Sequence, residues 1–452
     1  MLAPLIRRPR RGADSRSGER GVTLALVAIA MFSIIAMAGL SIDVGTLYEA
    51  NAEAQRSADA AALAAARVLS LTGITGDPTN STGLWSTACA AATTVAQAVA
   101  NQDTIGGAVP SAVTVTYLST DGTNCGSASG GAFGVNPMVK VQVQQASLRT
   151  YFARIWGRTA NSVSATATAE AFNPSQTDSL YGTTTPVQPR CVKPWIVPNK
   201  DPGSTTNQFV STTATTQGAI QRGKISVSNN GAGVIGEQFT LSADCNPGGR
   251  CGTGTSYTAP IVTGGATQFM PALVSGTPTA VPSCSGGTAF EQAVTGCDQT
   301  TAYQCGVLSA VASNPNEADL NERNVPSNTY SDVQCLTIGA GGGGTPDSIN
   351  TGTYPYQITA GSSNPLGVSG TPITSSNSIV SIPIYDGATL SGSNTPPVTI
   401  VGFLQLFIQS VTPAGQMTVT VLNVAGCGNA VPNGTQPIYG SSPVPIRLIT
   451  PQ

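Results

Sequence analysis

Residues 22–42 are a run of 21 residues without a single charged side chain. A helix rises about 1.5 Å per residue, so this run is long enough to cross a hydrocarbon core of about 30 Å. The sequence therefore predicts one transmembrane helix. We assign as its membrane anchor the large apolar residues Val22, Leu26, Ile29, Phe32, Ile35, Leu40 and Ile42.

The charge before the apolar run predicts its orientation. The first 20 residues hold six arginines against Asp14 and Glu19, a net charge of +4, whereas the whole chain has a net charge of −2. Basic residues next to a span favour the cytoplasmic side. We therefore expect residues 1–21 to be a cytoplasmic basic leader at the lipid bilayer, and the chain beyond residue 42 to be exported. Because the basic charge is confined to this leader, we predict no nucleic-acid partner.

The helical pattern continues beyond the apolar run. Small or apolar side chains recur at steps of three, four and seven residues, at Val44, Leu47, Ala54, Ala58, Ala61, Ala65 and Val68. Alanine is the best helix former, and a stripe of alanines allows close approach of another element. The stripe could pack on the chain's own domain or mediate self-association between copies, and the pattern does not distinguish these alternatives.

Residues 43–172 are predicted to form a small α+β domain. Apolar periodicity predicts a second helix from Leu84 to Val99, strands at 113–117, 139–143 and 163–171, and a short helix over 148–156 that Gly157 ends. Residues 173–190, rich in proline and polar residues, are predicted to be a linker.

Residues 191–452 are predicted to form a β-rich, loop-rich domain with its clearest strands at 379–385, 398–411 and 417–424. All ten cysteines lie beyond the apolar run, and an even number in an exported chain favours disulfide bonds. The candidates are Cys89, Cys125, Cys191, Cys245, Cys251, Cys284, Cys297, Cys305, Cys335 and Cys427. Cys245 and Cys251 are close enough to close a small loop, Cys284, Cys297 and Cys305 form a local cluster, and a Cys89–Cys125 bond would join the second helix to a hairpin loop.

The composition argues against catalysis. Charged residues are 9 % of the chain, against about 25 % in typical soluble domains, and there is no histidine. Histidine-dependent nucleophiles are therefore excluded, and zinc is disfavoured. The acids Glu317, Asp319 and Glu322 are interpreted as a solvated cluster. We predict no enzyme, no bound metal and no cofactor.

The segment DVGTLYEANAEAQRSADAAALAAA at 43–66 resembles the N-terminal region of TadE/TadG-like proteins of Tad (Flp) pilus assembly. The residues that carry the resemblance are Asp43, Gly45, Tyr48, Gln55, Asp59 and Leu63. YFARIWG at 151–157, followed by an alternating segment, is similar to a later helix–strand unit of the family. The resemblance spans roughly residues 18–172.

This resemblance implies a membrane-anchored structural component of a bacterial pilus or secretion system. It would lie in the inner membrane with its N-terminus in the cytoplasm and most of the chain periplasmic or extracellular, and its partners would be other pilus subunits. An alternative comes from Ala36-Met37-Ala38, an A-x-A sequence after which signal peptidase could cut. The product would be a secreted or surface-exposed adhesin-like binding protein.

Overall fold

The structure is a computed structural model. It describes residues 17–77, 84–118, 136–157, 159–175, 187–204, 206–213, 218–228, 230, 233–245, 251, 256–257, 262–279, 284, 287–301, 303, 316–391, 393–427 and 438–449.

Four α-helices lie in these ranges. They are α1 (Ser17–Leu71), α2 (Leu84–Ala100), α3 (Ala289–Thr295) and α4 (Val325–Ile338). The first has 55 residues, because no proline or turn sequence interrupts the apolar run and the alanine-rich segment after it. Two 3-10 turns, Ile74–Gly76 and Ala153–Trp156, accompany them.

The strands, numbered in chain order, are β1 (Ala112–Leu118), β2 (Met138–Arg149), β3 (Ala160–Ala171), β4 (Val187–Pro189), β5 (Trp195–Pro198), β6 (Gln238–Ala243), β7 (Ser256–Tyr257), β8 (Val262–Thr263), β9 (Ala266–Pro271), β10 (Ser348–Asn350), β11 (Gln357–Thr359), β12 (Pro372–Ile373), β13 (Ile379–Tyr385), β14 (Leu390–Ser391), β15 (Ile400–Val411), β16 (Met417–Gly426), β17 (Ile438–Gly440) and β18 (Ile446–Ile449).

The first sheet is antiparallel, with the strand order β1-β2-β3-β18. Its inner face alternates valines of β2 with alanines of β3, and α1 and α2 cover it. Because the facing side chains are small, helix and sheet can approach closely and share one hydrophobic core. The fourth strand comes from the C-terminal end of the described chain, where Ile446 pairs with Ala171.

The second sheet has the order β5-β13-β15-β16-β6-β9-β8. An additional pairing of β5 with β9 closes six of these strands into a ring. Trp195 on β5 and Phe269 on β9 are both fully buried, with ring centroids 5.7 Å apart. Smaller pairings comprise the sheet β10-β11-β12 and the pairs β7–β14 and β4–β17.

The C-terminal end of α1 is buried between the two sheets. The amide Nδ2 of Asn423 on β16 donates to the Ser70 carbonyl at 2.8 Å and to Thr75 Oγ1 at 2.7 Å. On the other side, Asn173 Nδ2 donates to the Val424 carbonyl at 2.9 Å. Because buried amides need partners, the Asn423 bonds hold the end of α1 and the turn after it against β16, and the Asn173 bond holds the segment after β3 against the same strand.

The predicted fold class is confirmed. The structure has a long apolar N-terminal helix, a mixed α+β region and many β-strands with disulfides. The predicted helix over 148–156 is shorter than expected: β2 continues to Arg149, and only one 3-10 turn follows, capped by Gly157 at φ 81°. Leu148 remains in the sheet because it pairs with Asn161 after an irregularity at Ser147, where φ is 62°.

Two helices in the predicted β-rich region were not expected. The sequence carries helix-boundary signals for both: Thr288 and Glu291 form a capping box at α3, while Pro326 lies in the first turn of α4 and Gly339 follows its last residue. Two features also cross the predicted domain bounds. Residues 446–449 complete the first sheet, and Asn173 and Ser175, at the start of the predicted linker, are buried.

Three disulfide bonds join described cysteines: Cys191–Cys297, Cys245–Cys251 and Cys284–Cys335. The small loop between Cys245 and Cys251 is thus closed by a bond. Cys284 and Cys297 do not pair with each other, because each bonds a cysteine more than 50 residues away in sequence. Cys89 and Cys427 are also disulfide-bonded. Cys125 and Cys305 lie outside the described residues, so the Cys89–Cys125 pairing stays a prediction.

Candidate anchoring and assembly site

The two halves of α1 lie in opposite environments. From Val22 to Ile42 the large apolar side chains are exposed, with Leu24 at 76 % and Phe32 at 66 %. All seven residues assigned to the membrane anchor are on this exposed half. Among the described helices, α1 is the one long and apolar enough to cross a membrane. Such a surface is unfavourable in water and is suited to lipid.

The second half of α1 is buried within the chain. The alanine stripe at 50, 54, 58, 61, 62, 65 and 66 is at most 2 % exposed and belongs to the core shared with α2 and the first sheet. The alanine face is therefore occupied by the chain's own domain. The opposite face of the helix, with Glu49, Asn51 and Arg56, is exposed.

Asp43 lies where the exposed half of α1 meets the folded domain. Its Oδ1 accepts the Tyr151 N–H at 2.8 Å, and its Oδ2 accepts those of Phe152 at 3.0 Å and Ala153 at 2.6 Å. Burial of this carboxyl raises its pKa, but the three backbone donors outweigh burial and hold the pKa of Asp43 below its ordinary value. The carboxylate thus ties the helix to the chain's own 151–153 segment.

Gly39, one turn before Asp43, completes this contact. A Cβ built on Gly39 would lie 2.7 Å from Cγ of Phe152, so the ring of Phe152 packs directly on the helix backbone. Only glycine leaves room for this approach. The two segments on which the family resemblance rests, 43–66 and 151–157, therefore meet in space.

The remaining motif residues are more dispersed. A Cβ added to Gly45 would have no neighbour within 4 Å, and Tyr48 is 74 % exposed. Gln55 Nε2 donates to Asp59 Oδ1 at 2.8 Å, and Leu63 packs at the border of the core. Sequence reasoning singled out these residues but missed Gly39, whose signal was a glycine inside an otherwise apolar helix.

The feature closest to catalytic chemistry is the buried Lys193, which lines a cavity of about 680 Å³. Burial lowers its pKa to about 7. Its Nζ donates to the carbonyls of Ala293 at 3.3 Å and Gly296 at 2.7 Å, at the end of α3. No described serine or threonine hydroxyl bonds to Nζ, so a nucleophile–base pair is not formed there. Lys193 instead satisfies carbonyls that the helix end leaves open.

Glu317 and Glu322, two of the three acids predicted to form a solvated cluster, lie in different surroundings. Glu322 accepts a hydrogen bond from Thr288 Oγ1 at 3.3 Å, and burial, with repulsion from Asp319 and Glu291, raises its pKa. Glu317 pairs with Pro397 in an isolated bridge. Within the described ranges no group of three or more acids or cysteines could hold a metal ion.

Comparison with known protein families gives a match over the N-terminal helix. Residues 21–68, a stretch of 48 residues, match the family described as putative Flp pilus-assembly TadE/G-like. This is the family that the sequence resembles, and it is a family of pilus assembly rather than of enzymes. No curated protein and no solved structure matches the chain.

Proposed function

We propose that this chain is a membrane-anchored structural component of a Tad-like pilus or secretion system. Residues 22–42 cross the inner membrane with the N-terminus in the cytoplasm, and the folded part stands on the exported side. It works through helix packing and domain contacts, without catalysis of its own.

One observation carries this proposal. The segment that matches the family is a single helix with one half exposed and apolar and the other half buried in a folded domain. A rigid helix that leaves the membrane and enters the domain without a break transmits the position of one to the other. Such a connection suits a subunit that holds an assembly at a fixed height above the bilayer.

The anchor is tested by cell fractionation of the tagged full chain. We expect it in the inner-membrane fraction, resistant to extraction by carbonate and salt, with the exported part open to protease in spheroplasts. Replacing Ile29 and Ile35 in the exposed half by arginine should release the chain or prevent its accumulation. The matched control places arginine at Asn51 and Ala52, on the exposed face beyond the apolar run, and should leave the anchor intact.

The role in assembly is tested by deleting the gene and counting surface pili by electron microscopy. We expect loss of pili, restored by the full chain and not by the Ile29/Ile35 variant. Unchanged pili in the deletion strain would contradict the proposal.

The alternative, release by signal peptidase after Ala38, is tested by mass spectrometry of the N-terminus. The anchored form retains the basic leader. A mature chain that begins at Gly39 would favour the secreted binding protein.

A further inference from the structure

The contact between α1 and the segment Tyr151–Gly157 sets the height of that segment along the helix. Gly39, under the ring of Phe152, is three residues before the end of the apolar run at Ile42, about 4.5 Å along the axis. Asp43, which binds the backbone of Tyr151, Phe152 and Ala153, is the first residue after that run. If residues 22–42 fill the hydrocarbon core, Tyr151–Gly157 lies at the boundary between acyl chains and headgroups. We call this segment the membrane-facing loop.

The exposed side chains at this height are those that a headgroup layer accommodates. Tyr151 is 61 % exposed, and Tyr48, five residues beyond Asp43 on the helix, is 74 % exposed. Tyrosine and tryptophan are enriched at membrane–water interfaces because their rings are amphipathic. Tyr48 is about 7.5 Å farther along the helix axis than Asp43, at the outer edge of the headgroup layer.

The charge of the membrane-facing loop and its flanks is uniformly positive. Arg149 and Arg154 are exposed, and neither forms an ion pair with a carboxylate in the described part of the chain. By sequence there is no acid between Asp121 and Glu170, and Arg158 adds a third cation next to the loop. The nearby carboxylate, Asp43, is buried, and its oxygens accept the backbone N–H groups of Tyr151, Phe152 and Ala153. Unpaired guanidinium groups at headgroup height are suited to bidentate contact with phosphate.

We propose that the membrane-facing loop is a lipid-binding surface that rests in the headgroup layer of the outer leaflet, with Arg149 and Arg154 on lipid phosphates and Tyr151 at the acyl boundary. This inference depends on the proposed function, since it requires α1 to cross the bilayer. Its consequence is that the domain is held by a second contact besides the helix. That contact restrains the tilt of the domain.

The test uses the full chain in vesicles of phosphatidylcholine and phosphatidylglycerol, with tryptophan fluorescence quenched by brominated acyl chains. Trp156 is replaced by Phe, so that the remaining native tryptophans, Trp85 and Trp195, are those buried in the protein core at 2 % and 0 % exposure. A reporter is introduced as Tyr151→Trp. The matched control is Val109→Trp, also exposed, at 55 %.

Val109 is suitable because its segment lies farther along the helix. Gly106 N–H donates to Glu53 Oε2 at 2.7 Å, and Glu53 is ten residues beyond Asp43, roughly 15 Å along the axis. We expect brominated lipid to quench the Tyr151→Trp reporter at least twofold more strongly than the Val109→Trp reporter. Adding Arg149→Gln and Arg154→Gln should reduce the quenching at position 151.

Equal quenching of the two reporters would overturn the proposal, and so would a dependence of the 151 signal on protein concentration, which would indicate docking on a second copy. Flotation of the vesicles is measured in the same samples. A chain that fails to float with lipid contradicts the membrane anchor itself, whereas a chain that floats with an unquenched 151 reporter contradicts only the loop contact.

Discussion

Arg447 on β18 and Glu170 on β3 form an ion pair that attaches the C-terminal strand to the first sheet. Nε and Nη2 of the arginine lie 2.9 Å and 2.8 Å from Oε2 of the glutamate. The glutamate side chain is fully buried, the arginine side chain is 31 % exposed, and its guanidinium lies 5.0 Å from the ring centroid of Phe172. A strand more than 270 residues later in sequence than its neighbour is thus held by a charge pair as well as by the ladder.

Replacing Arg447 by Met should destabilise the fold by about 3 kcal/mol, because it leaves the buried Glu170 carboxylate without its cation. The free energy of unfolding would be measured by denaturant titration in detergent. The double variant Glu170→Gln/Arg447→Met should recover part of this loss, since the uncompensated charge is then gone. If the losses of unfolding free energy in the single variants Arg447→Met and Glu170→Gln add up to that of the double variant, the two residues are not coupled.

Two glycines of α1 provide a matched test of the helix–loop contact. Gly45→Ala should stabilise the helix by about 0.5–1 kcal/mol, because the site is open and alanine is the better helix former. Gly39→Ala has the same propensity gain but must displace Phe152, and overpacking costs about 1–3 kcal/mol. Thermal unfolding should therefore move in opposite directions in the two variants. A rise in melting temperature for Gly39→Ala would contradict the close approach of Phe152.

Asp43→Asn should destabilise the chain in a pH-dependent manner. The pKa of Asp43 is lower in the folded state than in the unfolded state, so its stabilisation is complete above the unfolded pKa and is lost as pH falls through the folded pKa. The difference in unfolding free energy between wild type and variant should be largest near neutral pH and shrink below about pH 4. A difference that stays constant across this range would mean that the ionised form is not what the backbone donors stabilise.

Lys193→Met should show the pH dependence of a buried amine. Burial lowers the pKa of Lys193 to about 7, against about 10.4 in the unfolded chain. Between these two pKa values the unfolded state binds more protons at Lys193 than the folded state does. The free energy of unfolding of the wild type therefore increases as pH rises through this range. Relative to the variant, wild type should therefore become more stable from pH 7 to pH 10. Curves of unfolding free energy against pH that run parallel for wild type and Lys193→Met would contradict this prediction. The control is Lys140→Met, at a partly exposed strand position.

The disulfides should differ in their contribution according to loop length. The Cys191–Cys297 bond closes a loop of 106 residues and Cys245–Cys251 one of 6. The chain-entropy relation gives about 4.7 kcal/mol for a loop near 100 residues and about 2 kcal/mol for the short one. Paired Cys→Ser variants, compared by denaturation of the oxidised chain, should follow that order. An equal loss from both would contradict it.

Local patterns predicted much of the secondary structure. The strand at 379–385 agrees with β13 residue for residue, and the second helix and the three strands of the first sheet lie where periodicity placed them. These patterns are readable because each element repeats its apolar positions with its own period, independently of its neighbours. The prediction failed where a local pattern competed with a long-range partner, as at Leu148, which pairs with Asn161 rather than joining a helix.

Local sequence alone specifies that α1 is one long helix with an uncharged run at 22–42, because alanine propensity and the absence of breakers are properties of the segment itself. The folded arrangement fixes which parts of the chain that helix contacts. It buried the alanine face in the first sheet, bound Asp43 to a backbone segment more than 100 residues away, and recruited β18 from the other end of the chain. These contacts depend on which surfaces fold against each other. Periodicity within a segment shows which of its faces is apolar, but not which other segment packs against that face.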